Sequence, residues 1–188
     1  MDRRFEELDY DILVVDNTPE AHKRKHLLQN LPMDTGRVSY IELPESRGPA
    51  HTKNTGIRAA RGKYVLCMDC HVFLHDAALT KLYNFLNSLE GADQDNIFSG
   101  PLLYKGTYSG TVSTSFSKLW RGHMWGTWAT DNALLVDDSP KEIEGQGCGL
   151  FLVKKDSWLG FCDDYLGFGG EEMVIHEKYR RSGRKAML

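Results

Sequence analysis

A chain of 188 residues, 41% hydrophobic and 26% charged, has the length and composition of one soluble globular domain, expected to span 1–188. A net charge of −3 excludes a general polyanion-binding surface, so nucleic acid is not an expected partner. No apolar run approaches the roughly 18–20 residues of a membrane span and no signal peptide opens the sequence; the four cysteines form no paired knuckles, so free thiols, no zinc and a cytoplasmic location are expected.

Residues Met1 to Leu8 read as the tail of a charged, amphipathic helix. Asp11 to Asn17 is a strong strand that ends in an acid, Asp16. Thr18 as cap and Pro19 at the first position predict a helix to about Leu31, followed by a turn at Pro32–Gly36 and a strand over Val38–Leu43. This βαβ rhythm predicts a parallel sheet with flanking helices. From Ser46 to Gly62 the sequence reads as a flexible Gly48, Pro49 at a helix start, a helix, and a glycine stop. Asn54 and Gly56 stand where a plain amphipathic helix would carry leucine. Two readings stay open: tight helix–sheet packing, or a helix whose N-terminus and Asn54 face a ligand.

Tyr64–Met68 predicts a strand buried on both faces, whose carboxyl end delivers Asp69 and His71 into the crevice where open α/β sheets bind ligands. In an extended stretch residues i and i+2 point the same way, so one carboxylate and one imidazole could share a divalent cation. Taken alone, Asp-x-His fits an ordinary strand end with two solvated polar residues better; its neighbours reverse that. Asp76 to Leu89 predicts an amphipathic helix with Leu79, Leu82, Phe85, Leu86 and Leu89 as core stripe, and Ile97–Tyr104 a strand broken at Gly100-Pro101. Lys105 to Pro140 reads as irregular, with Trp120, Trp125 and Trp128 forming either a satellite core or a platform for a flat acceptor. Glu144–Lys155 brings small residues, including Gly147 and Cys148, into an apolar strand. Tyr165–Gly170 is a glycine-rich loop that feeds a helix from Glu171 to Ser182. Glu171 and Glu172 suit the helix dipole, or else bind an acceptor hydroxyl and assist catalysis.

In this order the motifs resemble family 2-type glycosyltransferases of the GT-A fold. Four stretches carry the resemblance: Leu13–Asn17; Gly48-Pro49-Ala50-x-x-Lys53-Asn54-x-Gly56 with Ala60-x-Gly62-x-Tyr64; Met68-Asp69-Cys70-His71, at the place of the family's metal-binding Asp-x-Asp; and Gly167–Glu172, at the place of its Gly-Gly-Glu-Asp segment. The Asp-x-His form is similar to the polypeptide N-acetylgalactosaminyltransferases, which retain anomeric configuration where most family 2 enzymes invert, so stereochemistry is open. The resemblance implies a Rossmann-like three-layer α/β/α fold with a mostly parallel central sheet, a nucleotide-binding half at 1–100 and an acceptor-side half at 101–188. It implies transfer of a sugar from a nucleoside diphosphate donor, most often UDP, to a hydroxyl of a glycan, lipid or protein. Asp69 and His71 would hold Mn²⁺ or Mg²⁺, with the imidazole favouring Mn²⁺. Asp16 would contact the uracil or ribose, Arg47, Gly48, Lys53 and Asn54 the nucleotide–sugar edge, and Gly147 and Cys148 the sugar-pocket floor. Glu171 and Glu172 would face the acceptor, Glu172 replacing the family's aspartate base if transfer inverts. The family's opening strand and a later metal-site histidine have no counterpart, so both ends read as clipped. A non-catalytic glycan- or nucleotide-binding domain is the alternative. A nucleotidyltransferase is disfavoured by the lack of a glycine-rich phosphate loop after the first strand, and a dehydrogenase by the lack of G-x-G-x-x-G.

Overall fold

The computed structural model describes residues 9–45, 47–75, 77–103 and 112–188. The expected helix tail at 1–8, Ser46, Asp76, Tyr104 and the first part of the 105–140 segment lie outside the described residues. Strands β1 (Ile12–Asp16) and β2 (Val38–Glu42) pair in parallel, Ile12 opposite Val38 and Asp16 opposite Glu42, with helix α1 (Ala21–Asn30) as the crossover. The helix begins later than Thr18 and Pro19 predict, because the backbone N–H of Thr18 donates to Asp16 Oδ1 at 2.8 Å and closes a side-chain turn instead of a cap.

Helix α2 (Pro49–Ala59) follows a Gly48 held at φ 99° and buries Ala50, Asn54 and Ile57. A Cβ on Gly56 would lie 3.2 Å from Val15 Cγ2, so the missing side chain lets the helix lie on β1. The tight-packing reading therefore explains Gly56. Strand β3 (Tyr64–Met68) then leads to helix α3 (Ala78–Ser88), whose apolar stripe is half-buried; Phe85 meets Phe98 edge-on at 5.1 Å.

The larger sheet is built from distant segments. Strand β4 (Ile97–Ser99) and the later β9 (Leu150–Lys154) run antiparallel, β9 pairs antiparallel with β3, and β10 (Ala186–Met187) pairs in parallel with β4, giving the order β10-β4-β9-β3. The buried centre is thus β9. Strand β3 is not covered on both faces as its apolar run suggests: it lies at the edge of this sheet, half-exposed, with Met68 47% exposed. Among the described residues no strand joins β1 to β3, so two sheets share no ladder and α2 packs against both. The core gathers Phe151, Trp158, Phe161 and Tyr179, with Phe151 and Trp158 stacked at 5.6 Å.

Part of the stretch expected to be irregular is a hairpin. After the short pair β5 (Leu102–Leu103) and β6 (Val112–Ser113), strands β7 (Ser115–Arg121) and β8 (Met124–Ala129) pair antiparallel across a Gly122-His123 turn, with Gly122 at φ 61°. A register shift between Ser117 and Trp120 breaks the two-residue period, which is why alternation does not reveal the strands. Helix α4 (Glu171–Arg181) packs under β8 and buries Met173, Ile175, His176 and Tyr179. Among the described residues no helix is long and apolar enough to cross a membrane.

Candidate functional site

The carboxyl end of β3 runs straight into Asp69. Its N–H donates to the Gly149 carbonyl at 2.9 Å, and its own carbonyl accepts from Val72 N–H at 3.0 Å. That second bond closes a turn through Cys70 and His71. The two candidate metal ligands therefore sit in a turn and not in an extended stretch, and the alternation argument that aimed both side chains the same way does not apply. Gly149 leaves the carboxylate accessible, since a Cβ there would stand 3.4 Å from Asp69 Oδ2.

Lys53, on the second turn of α2, reaches the same carboxylate. Its Nζ lies 2.9 Å from Asp69 Oδ1, with side-chain exposures of 12% and 35%. Burial works against the ammonium charge, but Asp69 outweighs it and holds the Lys53 pKa above its usual value. The thiols nearby are inert: burial pushes Cys67 up to about 12 and Cys148 well above the ordinary thiol range.

From the far end of the chain, the glycine loop delivers two more carboxylates, of which Glu172 feels the Lys53 charge. Glu171 is 2% exposed and its Oε2 accepts from Gly169 N–H at 2.9 Å, while Glu172 Oε2 accepts from Gly170 N–H at 3.1 Å. Burial, then the neighbouring Glu171 charge, raise the Glu172 pKa; Lys53 pulls it partly back. Behind them stands a residue that sequence reasoning missed. His176 is buried, its Nδ1 lies 2.5 Å from the Glu172 carbonyl, and burial lowers its pKa to about 4, so the ring is neutral. The i, i+4 spacing from Glu172 was the available signal.

The expected nucleotide contacts divide. Gly48 and the glycine loop touch: a Cβ on Gly48 would fall 2.1 Å from the Gly167 carbonyl oxygen, and Gly167 N–H donates to the Arg47 carbonyl at 3.3 Å. Gly48→Ala meets both a positive φ and fixed backbone, so a loss of about 2 kcal/mol or more in urea denaturation is expected; an unchanged midpoint would refute the contact. Arg47 Nη2 donates to the Asp163 carbonyl at 3.2 Å.

Three candidates serve the fold instead. Asn54 is fully buried and does not face a ligand: its amide donates to the Phe161 carbonyl at 3.0 Å and to Asp163 Oδ1 at 3.3 Å, and its carbonyl accepts from Phe161 N–H at 2.9 Å and Trp158 Nε1–H at 3.1 Å. Asp16 is 5% exposed, and Thr18 N–H and Tyr40 Oη–H, the latter at 2.7 Å, occupy one carboxylate oxygen each. Burial alone would raise its pKa, but those bonds hold it below the usual carboxylate range, and burial with the Asp16 bond pushes Tyr40 up to about 12. Cys148 is 2% exposed within the core. Gly147 offers no open floor either, because Trp128 Cη2 stands 2.3 Å from where its Cβ would be. The indole lines that spot, held edge-on against Phe116 at 4.3 Å.

Among the described residues no group of three or more His, Cys, Asp or Glu side chains could hold a metal ion. Asp69 and the exposed His71 offer two donors at most, one oxygen and one imidazole nitrogen. A carboxylate oxygen and an imidazole nitrogen are donor types that Mn²⁺ accepts.

Residues 3–120 match the family described as Glycosyl transferase family 2. Poly(ribitol-phosphate) beta-N-acetylglucosaminyltransferase TarP of Staphylococcus aureus (strain N315) is 26% identical over 86 residues, which is 45% of this chain and 26% of that protein. The crystal structure of GalNAc-T7 with UDP, GalNAc and Mn²⁺ superposes with a TM-score of 0.67 over 94% of this chain at 15% identity. The chain spans 36% of that structure's length, so it corresponds to a part of each relative. With the sequence match covering most of its length and the solved neighbour sharing its α/β architecture, the chain has the GT-A fold and belongs to glycosyl transferase family 2.

Proposed function

We propose that this domain transfers a sugar from a UDP-sugar to an acceptor hydroxyl with the help of a divalent ion. One observation carries the reading. Lys53 pairs with Asp69 at 2.9 Å, and its charge also reaches Glu172, more than a hundred positions away in sequence, where it works against the raised pKa. A largely buried cation at this edge is suited to stabilise the negative charge that develops on a diphosphate as its bond to a sugar breaks.

In this reading residues 1–100 bind the nucleotide and 101–188 the acceptor. Asp69 and His71 hold Mn²⁺ or Mg²⁺, which when bound supplies Lewis-acid neutralisation of the leaving diphosphate. Lys53, charged and nearly buried, adds a second positive charge at that edge. Glu172 takes the proton from the acceptor hydroxyl if transfer inverts; its raised pKa makes it a stronger base than an exposed glutamate. Glu171 fixes the loop through Gly169 and supplies the like charge behind Glu172.

Calorimetric titration of the purified chain with UDP, with and without Mn²⁺, tests the donor side. Binding should require the metal, and Asp69→Ala should weaken it by about tenfold or more. Metal-independent binding that survives the substitution would sink the assignment. A second reading, a domain that recognises nucleotide or glycan without chemistry, draws on the Lys53–Asp69 pair, which already neutralises the carboxylate a metal would need. Sugar transfer to an acceptor, measured against nucleotide binding alone, separates the two.

A further inference from the structure

His176 does not stand where packing alone would put a histidine. It shares the buried face of α4 with Met173, Ile175 and Tyr179. Its Nδ1 lies 2.5 Å from the Glu172 carbonyl oxygen, which can only accept, so Nδ1 carries the ring proton. Nε2 is left with its lone pair, buried and without a hydrogen-bond partner among the described residues. Burial keeps the ring uncharged, with a pKa of about 4. A buried nitrogen in that condition is unfavourable, and an apolar side chain of similar size would avoid it. What histidine has and leucine lacks is the Nδ1–H bond to Glu172.

The surroundings keep the ring on that carbonyl. A Cβ on Gly145 would lie 3.3 Å from His176 Cγ and Nδ1, so the missing side chain leaves room for the imidazole edge. Gly145 is itself fixed, its carbonyl accepting from Phe116 N–H at 2.7 Å. The turn that the bond reaches is weakly closed. Its N-cap is Gly170, at φ 86° and with no side chain to cap with, and Val174 N–H reaches the Gly170 carbonyl at 3.4 Å. The bonds from Gly169 and Gly170 N–H to Glu171 and Glu172 tie the carboxylates to the loop. The His176 bond ties the main chain of Glu172 to the second turn of the helix.

We infer that His176 is a positioning residue for Glu172. By donating Nδ1–H to the Glu172 carbonyl it holds the first turn of α4, and with it the direction in which the Glu172 side chain leaves the backbone. It acts through Glu172 and not on a substrate, and its bearing on turnover rests on the transfer reading above.

Two variants of the full chain separate holding from filling. His176→Leu removes the donor and keeps an apolar filling; His176→Asn keeps an N–H at the Nδ1 position and leaves a gap. Stability in urea should equal or exceed the parent's with leucine and fall with asparagine. Turnover, read as UDP released from UDP-glucose or UDP-N-acetylglucosamine, should run the other way. It should drop about tenfold to a hundredfold with leucine, at unchanged UDP affinity, and be largely restored with asparagine. Hydrogen exchange of the amides at 173–176 should be faster with leucine and parental with asparagine. Turnover that follows stability instead, parental with leucine and lower with asparagine, makes His176 a filler and overturns the proposal. So does exchange that is the same in all three proteins. A parent that releases UDP from neither donor speaks against the transfer reading and not against the hold on Glu172, which the exchange pattern then decides.

Discussion

Glu172→Gln is expected to cut turnover by about 10²–10⁴-fold and to leave nucleotide affinity unchanged. The substitution keeps the side-chain length and an oxygen that can accept from Gly170 N–H, so the loop geometry survives. What it removes is the basic carboxylate. Because burial and the Glu171 charge hold Glu172 above the ordinary glutamate value, the parent enzyme should gain activity with rising pH as this group loses its proton, and lose it as pH falls through the raised pKa. Glu171→Gln takes away the like charge, so the acid limb of the profile should move to lower pH. A Glu172→Gln variant with parental turnover, or an acid limb that stays in place without the Glu171 charge, would remove Glu172 from the role of base.

Asn54→Ala should cost about 3–5 kcal/mol of stability, read from urea unfolding followed by circular dichroism. The amide is fully buried and ties α2 to the 158–163 segment through four hydrogen bonds. Truncation leaves the Phe161 N–H and C=O and the Trp158 indole N–H without their partner in a place water does not easily reach. Unpaired buried donors carry most of that cost. Asn54→Asp keeps the acceptor for Phe161 and Trp158 but loses the donor and adds a charge facing Asp163, so it should also destabilise. A loss below about 1 kcal/mol for the alanine variant would mean that the segment repacks around the gap.

Much of the scaffold could be read from the sequence. The apolar runs at 12–16, 38–42, 64–68 and 150–154 are strands, and the Gly-Pro and Gly-Gly-Glu starts open α2 and α4 close to where expected. Local chemistry determines these, and local pattern reveals them. Pairing is different. That β9 lies between β3 and β4 depends on contacts across more than fifty positions, and no window of sequence carries that information. The site divides along the same line. Lys53 and Asp69 meet, but their pairing joins a helix to a strand end and has no local signature. Asn54 was legible as an anomaly in an amphipathic helix. Its meaning was not, because an amide that grips a distant loop and one that faces a ligand leave the same trace in a sequence. The Asp69–His71 geometry was misjudged because a turn bond, invisible in composition, ends the strand at Met68.

Among the described residues no ladder joins β1 to β3, and this affects what the protein's fluorescence can report. All four tryptophans lie at or beyond position 120, in the hairpin and beside Phe151, and none lies in or near the β1–α1–β2 unit. Fluorescence therefore watches one side of α2 only. Local fraying of the parallel pair that carries Asp16 and Tyr40 should leave the emission steady. An apparently intact protein, judged by its indoles, can already have lost the β1–α1–β2 unit.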